Sequence, residues 1–538
     1  MNRQLIFIGL ACLVSACAGR KIGTPPSLGN IAIPVQRGIN YSDSSDLKSM
    51  VINYWANAKI NDWGDEGKID FKIPRAILGR LLAKKDIQET NAYLLKQFPK
   101  GKIGSKWLLN PNGGYDFTAM SLMPVLYLFD ASPELLYPET KQHLIKNILT
   151  IKGAGFSRNV PRLCFQDSEN HILMGEGSRY LMNQYLWDNG EKDPQYDNKN
   201  NGVEAGLIAY LKEIEGHGIF EYNAKPYLGY TYSALMNLNA FGRGEIKTLA
   251  TKILDHINWQ YALNSYDFKH CPPYRRRFKK NIDQEIVSDY HSVMLTLWAS
   301  QISIDQTLSI TSGKHIALWA TMLPYRPADD VMKWSLAKPN AYFVKIGHGH
   351  NACPEICSGD KSYHLSAGGA NQGRASLIVP QATMLFLADS ASKLKELFYL
   401  SNPSKSLMRW NNTGVCEDFA CAKGIVHIPS NKTPVLDSNN WSIYSISKGV
   451  FLATYSEKEV ALLVIIRASS GIDAFQAVLK NNPDTKKYAT QFTHPNGNVL
   501  HYDLDAPKNK WVIKSINGIE QERNFEKWPF FDGSIDPY

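Results

Sequence analysis

The sequence lacks a hydrophobic run long enough to cross a membrane as a helix: residues 5–14 are too short, and after them there is no stretch of about 18 apolar residues. A strong charge imbalance is missing too, since 59 Lys and Arg residues stand against 50 Asp and Glu, a net charge of +9. This mild bias argues against a nucleic-acid partner and is compatible with an acidic polysaccharide. With only eight cysteines and no fixed repeat period, the chain is neither a disulfide-built miniprotein nor a simple repeat array.

The composition is that of a folded globular protein. Hydrophobic residues make up 44% and charged residues 20%, which excludes gross disorder and a collagen-like chain. A length of 538 residues predicts more than one domain.

Residues 44–335 have a helical pattern. Apolar residues recur at intervals of three and four, as in Leu249, Ile253 and Ile257. We expect helices over residues 45–60, 76–98, 118–130, 138–150, 168–186, 202–214, 227–241, 245–263 and 289–302. So many successive helices predict paired hairpins in a bundle, a solenoid or an α/α toroid.

Residues 336–538 have a strand pattern. Short β-branched or aromatic runs alternate with turns such as Lys448-Gly449 and Asn496-Gly497. We expect strands over residues 341–346, 375–379, 441–447, 450–455, 459–467 and 511–516, in an antiparallel β-sandwich. Helices followed by strands predict two domains, over residues 44–335 and 336–538.

Residues 1–17 have the pattern of an export signal. Arg3 supplies the positive charge, and residues 5–14 form an apolar run too short to span a bilayer. The ending Leu13-Val14-Ser15-Ala16-Cys17 resembles the bacterial lipobox, whose Cys is lipidated and becomes the mature N-terminus. The alternative is an ordinary cleaved signal, in which Cys17 has no role.

Ala18 follows the lipobox where an Asp would be a retention signal, which by the same resemblance favours the outer membrane, facing the periplasm or the cell surface. Residues 18–43 include a stretch rich in Gly, Pro and Ser and are expected to form a tether. The lipid anchor is then the only membrane contact, and the oligomeric state stays open.

An exported protein lies in an oxidising compartment, so the cysteines after Cys17 are candidates for disulfides. Proximity along the chain favours Cys353–Cys357 and Cys416–Cys421, which leaves Cys164–Cys271. Six cysteines allow 15 pairings, so other connectivities stay open.

One segment has the residue types of a zinc site: His348, His350, Cys353 and Cys357. In an exported protein we favour a disulfide between the two cysteines over a metal, and we therefore expect no cofactor. His364 is another histidine of the strand-rich half that could reach a cleft.

Three segments of the helical half carry residues suited to chemistry. In Asp167-Ser168-Glu169-Asn170-His171, an N-cap at Asp167 or Ser168 places the Asn-His pair in a first helical turn, which favours an anion and a neutral imidazole. Residues 216–230 form a Gly-broken loop that leads into a tyrosine-rich helix, and residues 270–277 contain three consecutive Arg that could hold a carboxylate. The alternatives are a capping turn, tyrosine packing and a solvated basic loop.

Together these segments resemble the α/α-toroid polysaccharide lyases, the heparinase II/III and alginate lyase group. That group has an Asn-His pair at a helix start and a segment Gly-x-Phe-x-Glu-x-Ser-x-x-Tyr-His at a similar separation. Here the segment is Gly218-Ile219-Phe220-Glu221-Tyr222-Asn223-Ala224-Lys225-Pro226-Tyr227-Leu228. Ala224 and Leu228 replace the Ser and the His, and Glu215-Gly216 replaces Asp-Gly.

The match covers residues 165–280 and is nearest to an uncharacterised bacterial branch that also has an Asn-Ser pair, here Asn264-Ser265. The resemblance implies an α/α toroid followed by a β-sandwich, and a lyase that cleaves a uronic-acid glycan by β-elimination. It implies that Tyr227 is the general acid and a candidate for the base, that Asn170 binds the substrate carboxylate, and that His171 assists it or is the alternative base. The implied substrate-binding residues are Arg275, Glu221, Tyr222 and His270.

Two other functions stay open on the sequence. Glu169, Glu176 and Glu221 could be the carboxylates of an inverting glycoside hydrolase, because α/α toroids also host those enzymes. Alternatively, the replacement of the group's Ser and His fits a non-catalytic, glycan-binding envelope lipoprotein.

The lipid anchor is testable by one substitution. Cys17→Ala removes the thiol that would carry the lipid, so the protein should leave the membrane fraction when cells are fractionated. Unchanged membrane retention of the variant would refute the lipoprotein interpretation.

Overall fold

The computed structural model describes residues 29–60, 72–96, 115–159, 168–224, 227–272, 290–303, 308–310, 314–349, 354–368, 384–387, 393–402 and 411–537. Over these ranges the fold is mixed α+β, with antiparallel sheets. Cys17, Cys164, Arg275, His350, Cys353 and the strand expected over residues 375–379 lie outside the described residues. Within the described ranges no helix is both long enough and apolar enough to span a bilayer.

Twelve described helices precede the large sheets. They are α1 (Asp46–Ala56), α2 (Lys72–Ala83), α3 (Ile87–Leu94), α4 (Tyr115–Phe129), α5 (Pro138–His143), α6 (Glu169–Asp188), α7 (Val203–His217), α8 (Tyr227–Phe241), α9 (Gly244–Leu263), α10 (Tyr290–Ser300), α11 (Lys314–Met322) and α12 (Asp329–Leu336). The helix expected over residues 227–241 matches α8. The single helix expected over residues 76–98 is instead α2 and α3, because Lys84 and Asp86 have φ values of 53° and 49°, which end a right-handed helix.

Helices that are adjacent in the chain, or separated by one other helix, pack together. α1 contacts α2, α4 contacts α6, α6 contacts α8, and α8 contacts α9. Their apolar side chains form one hydrophobic cluster that also contains Tyr342, Val344, Ile346, Phe530 and Phe531 from the strand-rich half. The helices therefore share a core with part of the strand-rich half, and burial of this apolar surface stabilises both.

The described strands form four antiparallel sheets. A small hairpin consists of β1 (Ser265–Tyr266) and β2 (Lys269–His270). The largest sheet contains β3 (Ala341–Ile346), β4 (Glu355–Gly359), β5 (Tyr363–Gly368), β6 (Met384–Leu387), β7 (Phe398–Ser401), β10 (Ile425–His427) and β19 (Asp532–Asp536), in the order β10-β7-β6-β5-β4-β3-β19.

A six-stranded sheet contains β8 (Val415–Cys416), β9 (Phe419–Lys423), β11 (Leu436–Ser438), β12 (Trp441–Ser447), β13 (Val450–Glu457) and β14 (Val460–Arg467), in the order β11-β12-β13-β14-β9-β8. The fourth sheet is β15 (Gln491–Thr493), β16 (Val499–Tyr502), β17 (Ile513–Ile516) and β18 (Ile519–Glu520). The strands expected over residues 341–346 and 441–447 match β3 and β12. Residues of the three larger sheets join in a second hydrophobic cluster.

The strand-rich half also contains a helix that the sequence analysis did not predict, α13 (Gly471–Asn481). It begins after Ser470, whose hydroxyl accepts a hydrogen bond from the Asp473 N–H at 3.1 Å. This is an ordinary N-cap, so a local signal for the helix was present.

The predicted disulfides are wrong for the described cysteines, because Cys271, Cys357, Cys416 and Cys421 are all free and buried. The predicted pair Cys416–Cys421 is therefore wrong. Of the predicted pairs Cys164–Cys271 and Cys353–Cys357, the described members Cys271 and Cys357 are free, and Cys164 and Cys353 lie outside the described residues. In the pair Cys416–Cys421, Cys416 lies opposite Phe419, so that Cys421 is a diagonal neighbour two residues further along β9. Diagonal neighbours are about 7–8 Å apart, which is beyond the reach of a disulfide.

Two buried histidines are held in the neutral form. His364 on β5 lies between the Tyr342 hydroxyl, 2.8 Å from Nδ1, and Asn264 Oδ1, 3.2 Å from Nε2, which assigns the ring proton to Nε2. Burial holds the pKa of His364 well below its ordinary value. Burial also lowers the pKa of His256, which packs against Phe530, to about 4.

These histidines predict a loss of stability in mild acid. Between about pH 6.5 and pH 4 the unfolded chain binds protons at His256 and His364 and the folded chain does not, so the free energy of unfolding should fall as pH falls, by about 1.4 kcal/mol per pH unit per histidine. In urea titrations at several pH values, His256→Met should remove its share of this slope. The partly exposed His427→Gln is the control, and an unchanged slope in His256→Met would contradict the assignment.

Candidate functional site

The first turn of α6 presents a buried amide group. The Ser168 hydroxyl lies 2.7 Å from Asn170 Oδ1 and therefore fixes the orientation of that side chain. Asn170 is completely buried, and its Nδ2 has no hydrogen-bond partner within the described part of the chain. A buried donor without a partner costs about 1–3 kcal/mol, so this amide is suited to bind an acceptor that the structure does not contain.

The next residue, His171, is paired with a carboxylate that the sequence analysis missed. Its Nδ1 lies 2.6 Å from Asp116 Oδ2, and Phe117 packs edge-on against the imidazole at 5.2 Å. Asp116 is in the first turn of α4, which begins three residues before the helix start that we expected at residue 118. An acidic residue near a helix start is a pattern that the sequence shows. No sequence pattern, however, indicates that Asp116 contacts His171.

This pairing changes the expected electrostatics of His171. The N-terminus of a helix disfavours an imidazolium, whereas a carboxylate in contact with Nδ1 favours it. An Nδ1–H that donates to Asp116 leaves Nε2 as an acceptor, and the His171 side chain is 28% exposed. His171 can therefore take up a proton at Nε2 while Asp116 stabilises the resulting charge.

Glu169 connects the start of α6 to the loop before α8. Its carboxylate accepts hydrogen bonds from the backbone N–H groups of Phe220, at 3.3 Å, and Glu221, at 3.2 Å. The Glu221 side chain is buried at this position. Three consecutive residues of one turn thus contact different parts of the site, and the loop that resembles the lyase segment lies beside the Asn-His pair.

Tyr227 is the first residue of α8 and is partly buried. One turn further along, Tyr230 packs edge-on against Phe117 at 4.8 Å, and Phe117 in turn contacts His171. α6 and α8 also pack against each other directly. The start of α8 therefore lies in the same neighbourhood as the start of α6.

The two positions that depart from the lyase pattern are both buried. Ala224 is 1% exposed, and its carbonyl accepts a hydrogen bond from the Leu228 N–H at 2.8 Å. Leu228 is also buried and belongs to the core of the helical half. At these positions the chain has apolar packing where the lyase group has polar side chains.

A cluster of polar residues joins this loop to the largest sheet. Glu355 Oε2 accepts a hydrogen bond from Asn223 Nδ2 at 2.8 Å, and Oε1 accepts one from Gln260 Nε2 at 3.2 Å. His348 Nε2 lies 3.0 Å from the same Oε1. We call these four residues, Asn223, Gln260, His348 and Glu355, the junction clamp. The sequence analysis did not single out three of them.

Two expected substrate-binding residues are buried away from solvent. Tyr222 is 3% exposed and its ring is stacked on that of His348, with centroids 4.6 Å apart and an interplanar angle of 10°. His270 is 1% exposed and packs against Tyr261 near the C-terminal end of α9. Arg275, the expected carboxylate clamp, lies outside the described residues.

The described residues contain no group of three or more His, Cys, Asp or Glu arranged to hold a metal ion. His348, which we considered as a zinc ligand, directs Nε2 to Glu355, and the Cys357 Sγ lies 3.8 Å from the Val344 carbonyl oxygen. His350 and Cys353 fall in the part of the chain that is not described.

The carboxylates that a hydrolase would need are engaged in local contacts. Glu169 holds the two backbone N–H groups of the loop, and Glu176 is paired with Arg179 at 3.1 Å. Burial raises the pKa of Glu176, and the Arg179 guanidinium opposes that shift.

No protein-family model matches the chain, and no curated protein matches it significantly.

The role of Glu169 in holding the loop predicts a measurable cost. Glu169→Gln keeps the shape of the side chain but offers one acceptor oxygen in place of two, so the free energy of unfolding in urea should fall by about 1–3 kcal/mol. The exposed Glu134→Gln is the matched control and should change it by less than about 0.5 kcal/mol. A similar small change in Glu169→Gln would show that the two contacts do not hold the loop.

Proposed function

We propose that the protein is a polysaccharide lyase that cleaves an acidic, uronic-acid glycan by β-elimination. The observation that carries the proposal is the completely buried Asn170, whose Nδ2 has no partner among the described residues, at the start of a 20-residue helix. The helix N-terminus favours an anion, and the amide offers it a donor. A substrate carboxylate is an anion of the required kind.

The reaction needs three functions. The proton removed is α to a carboxylate and very weakly acidic, so the charge that develops on that carboxylate must be stabilised; Asn170 supplies this through Nδ2. His171 takes the proton at Nε2, because Asp116 holds Nδ1 and stabilises the imidazolium. Tyr227 donates its hydroxyl proton to the glycosidic oxygen that leaves. The electron pair of the broken C–H bond forms a double bond conjugated with the carboxylate.

The assignment of the base follows from the Asp116 contact. A tyrosine with its ordinary pKa of about 10 is a poor base at neutral pH, and it would need a nearby cation to act as one. Histidine as a residue type is suited to act as a base near neutral pH, and the Asp116 contact already orients His171. Tyr227 therefore serves as the acid and His171 as the base.

The proposal includes the finer architecture that the resemblance implies, an α/α toroid followed by a β-sandwich. It is supported by a closed circuit of helix contacts, since α2 contacts α4, α4 contacts α8, α8 contacts α11 and α11 contacts α2. It is also supported by the second hydrophobic cluster, which residues of the seven-stranded and six-stranded sheets share.

We also propose that the protein is exported, carries a lipid on Cys17 and lies at the outer membrane. This part rests on the lipobox-like sequence alone. A lipid-anchored enzyme would act on glycan in the periplasm or at the cell surface.

The reaction is tested by absorbance growth on a panel of uronic-acid polysaccharides, such as alginate and heparan-type chains. Tyr227→Phe keeps the ring and removes the hydroxyl, so the protein should stay folded while the rate falls by at least about a hundredfold. Asn170→Ala should lower kcat by about 10²–10³-fold, because the amide acts on charge that develops in the transition state. Tyr54→Phe, at an exposed position, is the control and should not change the rate.

Other outcomes distinguish the alternatives. If the wild-type protein releases reducing ends without an unsaturated product, and a carboxylate variant such as Glu176→Gln abolishes that release, the protein is a hydrolase. If it binds the glycans and releases no product at all, it is a glycan-binding protein and the lyase proposal is wrong.

A further inference from the structure

The junction clamp concentrates hydrogen bonds from three segments on one buried carboxylate. Glu355 is 1% exposed and lies on β4, at the boundary with the helices. Asn223 comes from the loop before α8, Gln260 from α9, and His348 from the segment after β3. A buried ionised carboxylate is stable only when its oxygens are hydrogen-bonded, and here donors from both halves of the chain supply those bonds.

The hydrogen-bond partners of His348 indicate which of its ring nitrogens carry protons. Its Nδ1 lies 3.2 Å from the His217 carbonyl oxygen, which can only accept, so Nδ1 carries a proton. Nε2 faces Glu355 Oε1 at 3.0 Å, which requires one further proton between the two groups. Because Asn223 and Gln260 donate to the carboxylate and favour its ionised form, that proton lies on His348. A His348 imidazolium beside an ionised Glu355 satisfies all of these contacts.

The imidazolium also fixes the loop through Tyr222 and Gly218. The Tyr222 ring is almost parallel to that of His348, which puts a cation against the face of an aromatic ring. Gly218 has a φ of 71°, and a Cβ at this position would lie 2.8 Å from His348 Nδ1. Only glycine therefore allows the loop backbone to approach the imidazole this closely.

We propose that His348 and Glu355 are positioning residues for the candidate site, because their ion pair holds residues 217–223 in place against the sheet. These residues include Glu221, whose backbone N–H binds Glu169, the residue before Asn170. Neither His348 nor Glu355 contacts the reacting atoms in this scheme. Their effect on turnover rests on the proposed function, whereas their effect on the loop does not.

The protonation state is tested by nuclear magnetic resonance of ¹⁵N-labelled histidine at pH 7, with the His348 signals assigned from their loss in His348→Gln. Wild-type protein should show both His348 nitrogens protonated, and Glu355→Gln should convert the ring to the neutral form. A neutral His348 in the wild-type protein would overturn the ion pair.

The loop is tested by hydrogen exchange. In Glu355→Gln the amides of residues 220–223 should exchange at least tenfold faster than in the wild-type protein. Asp532→Asn is the matched control. It removes the 2.9 Å ion pair between Asp532 and Lys345 on the same sheet, and it should leave the exchange rates of those amides unchanged. Should Glu355→Gln not fold, Gly218→Ala displaces the imidazole without removing a charge and should give the same acceleration. Unchanged exchange in the variant that folds would refute the positioning role.

Measurements of kcat and KM distinguish a failure of the positioning role from a failure of the proposed function. If the wild-type protein is a lyase, Glu355→Gln should lower kcat at least tenfold and leave KM within about twofold, since a positioning residue acts on the transition state more than on binding. An unchanged kcat with faster loop exchange would refute the link to the site. A wild-type protein without lyase activity would refute the proposed function, and the resonance and exchange results would still decide whether the clamp exists.

Discussion

The Glu355 carboxylate is buried where the helices meet the largest sheet, and burying a charge there constrains everything around it. The desolvation of an ionised carboxylate costs several kcal/mol, and removing one partner of a buried ion pair costs about 3–5 kcal/mol. Its hydrogen-bond donors come from a loop, from α9 and from the segment after β3, so the three segments must stay together for the charge to be tolerated. Two residues of this loop, Asn223 and Gly218, have positive φ values of 49° and 71°.

The first turn of α6 also holds distant segments of the chain together. Successive residues of a helix project about 100° apart, because 3.6 residues make one turn. Glu169 therefore reaches the loop, Asn170 lies buried beneath it, and His171 meets Asp116 on α4. One turn of one helix thus binds two other segments and leaves a single amide without a partner among the described residues. An anionic ligand at that amide would complete the arrangement.

The cysteines show that disulfides expected from the cellular compartment can be excluded by the positions of the cysteines in the fold. Export predicts oxidised cysteines, yet the four described cysteines are free and buried. The register of β8 and β9 makes Cys416 and Cys421 diagonal neighbours, although only four residues separate them in the sequence. Burial raises the pKa of Cys271 to about 12, so this thiol stays protonated and unreactive.

Local patterns in the sequence were enough for much of the secondary structure and for part of the site. The period of three and four residues located α8 and α9, strand-like runs located β3 and β12, and Ser168 before Glu169-Asn170-His171 located the start of α6. These features depend on neighbours within one or two turns, so the sequence carries them directly. Asp116, Gln260 and Glu355 were found only in the tertiary structure. The contacts of Asp116 with His171, of Gln260 with Glu355 and of Glu355 with Asn223 each span at least 55 positions, and such contacts leave no periodic signal in the chain. The sequence by itself determined that a helical part precedes a strand-rich part and that the Asn-His pair lies at a helix start, because these signals are local. Only the packing of distant segments decided which charges those residues meet.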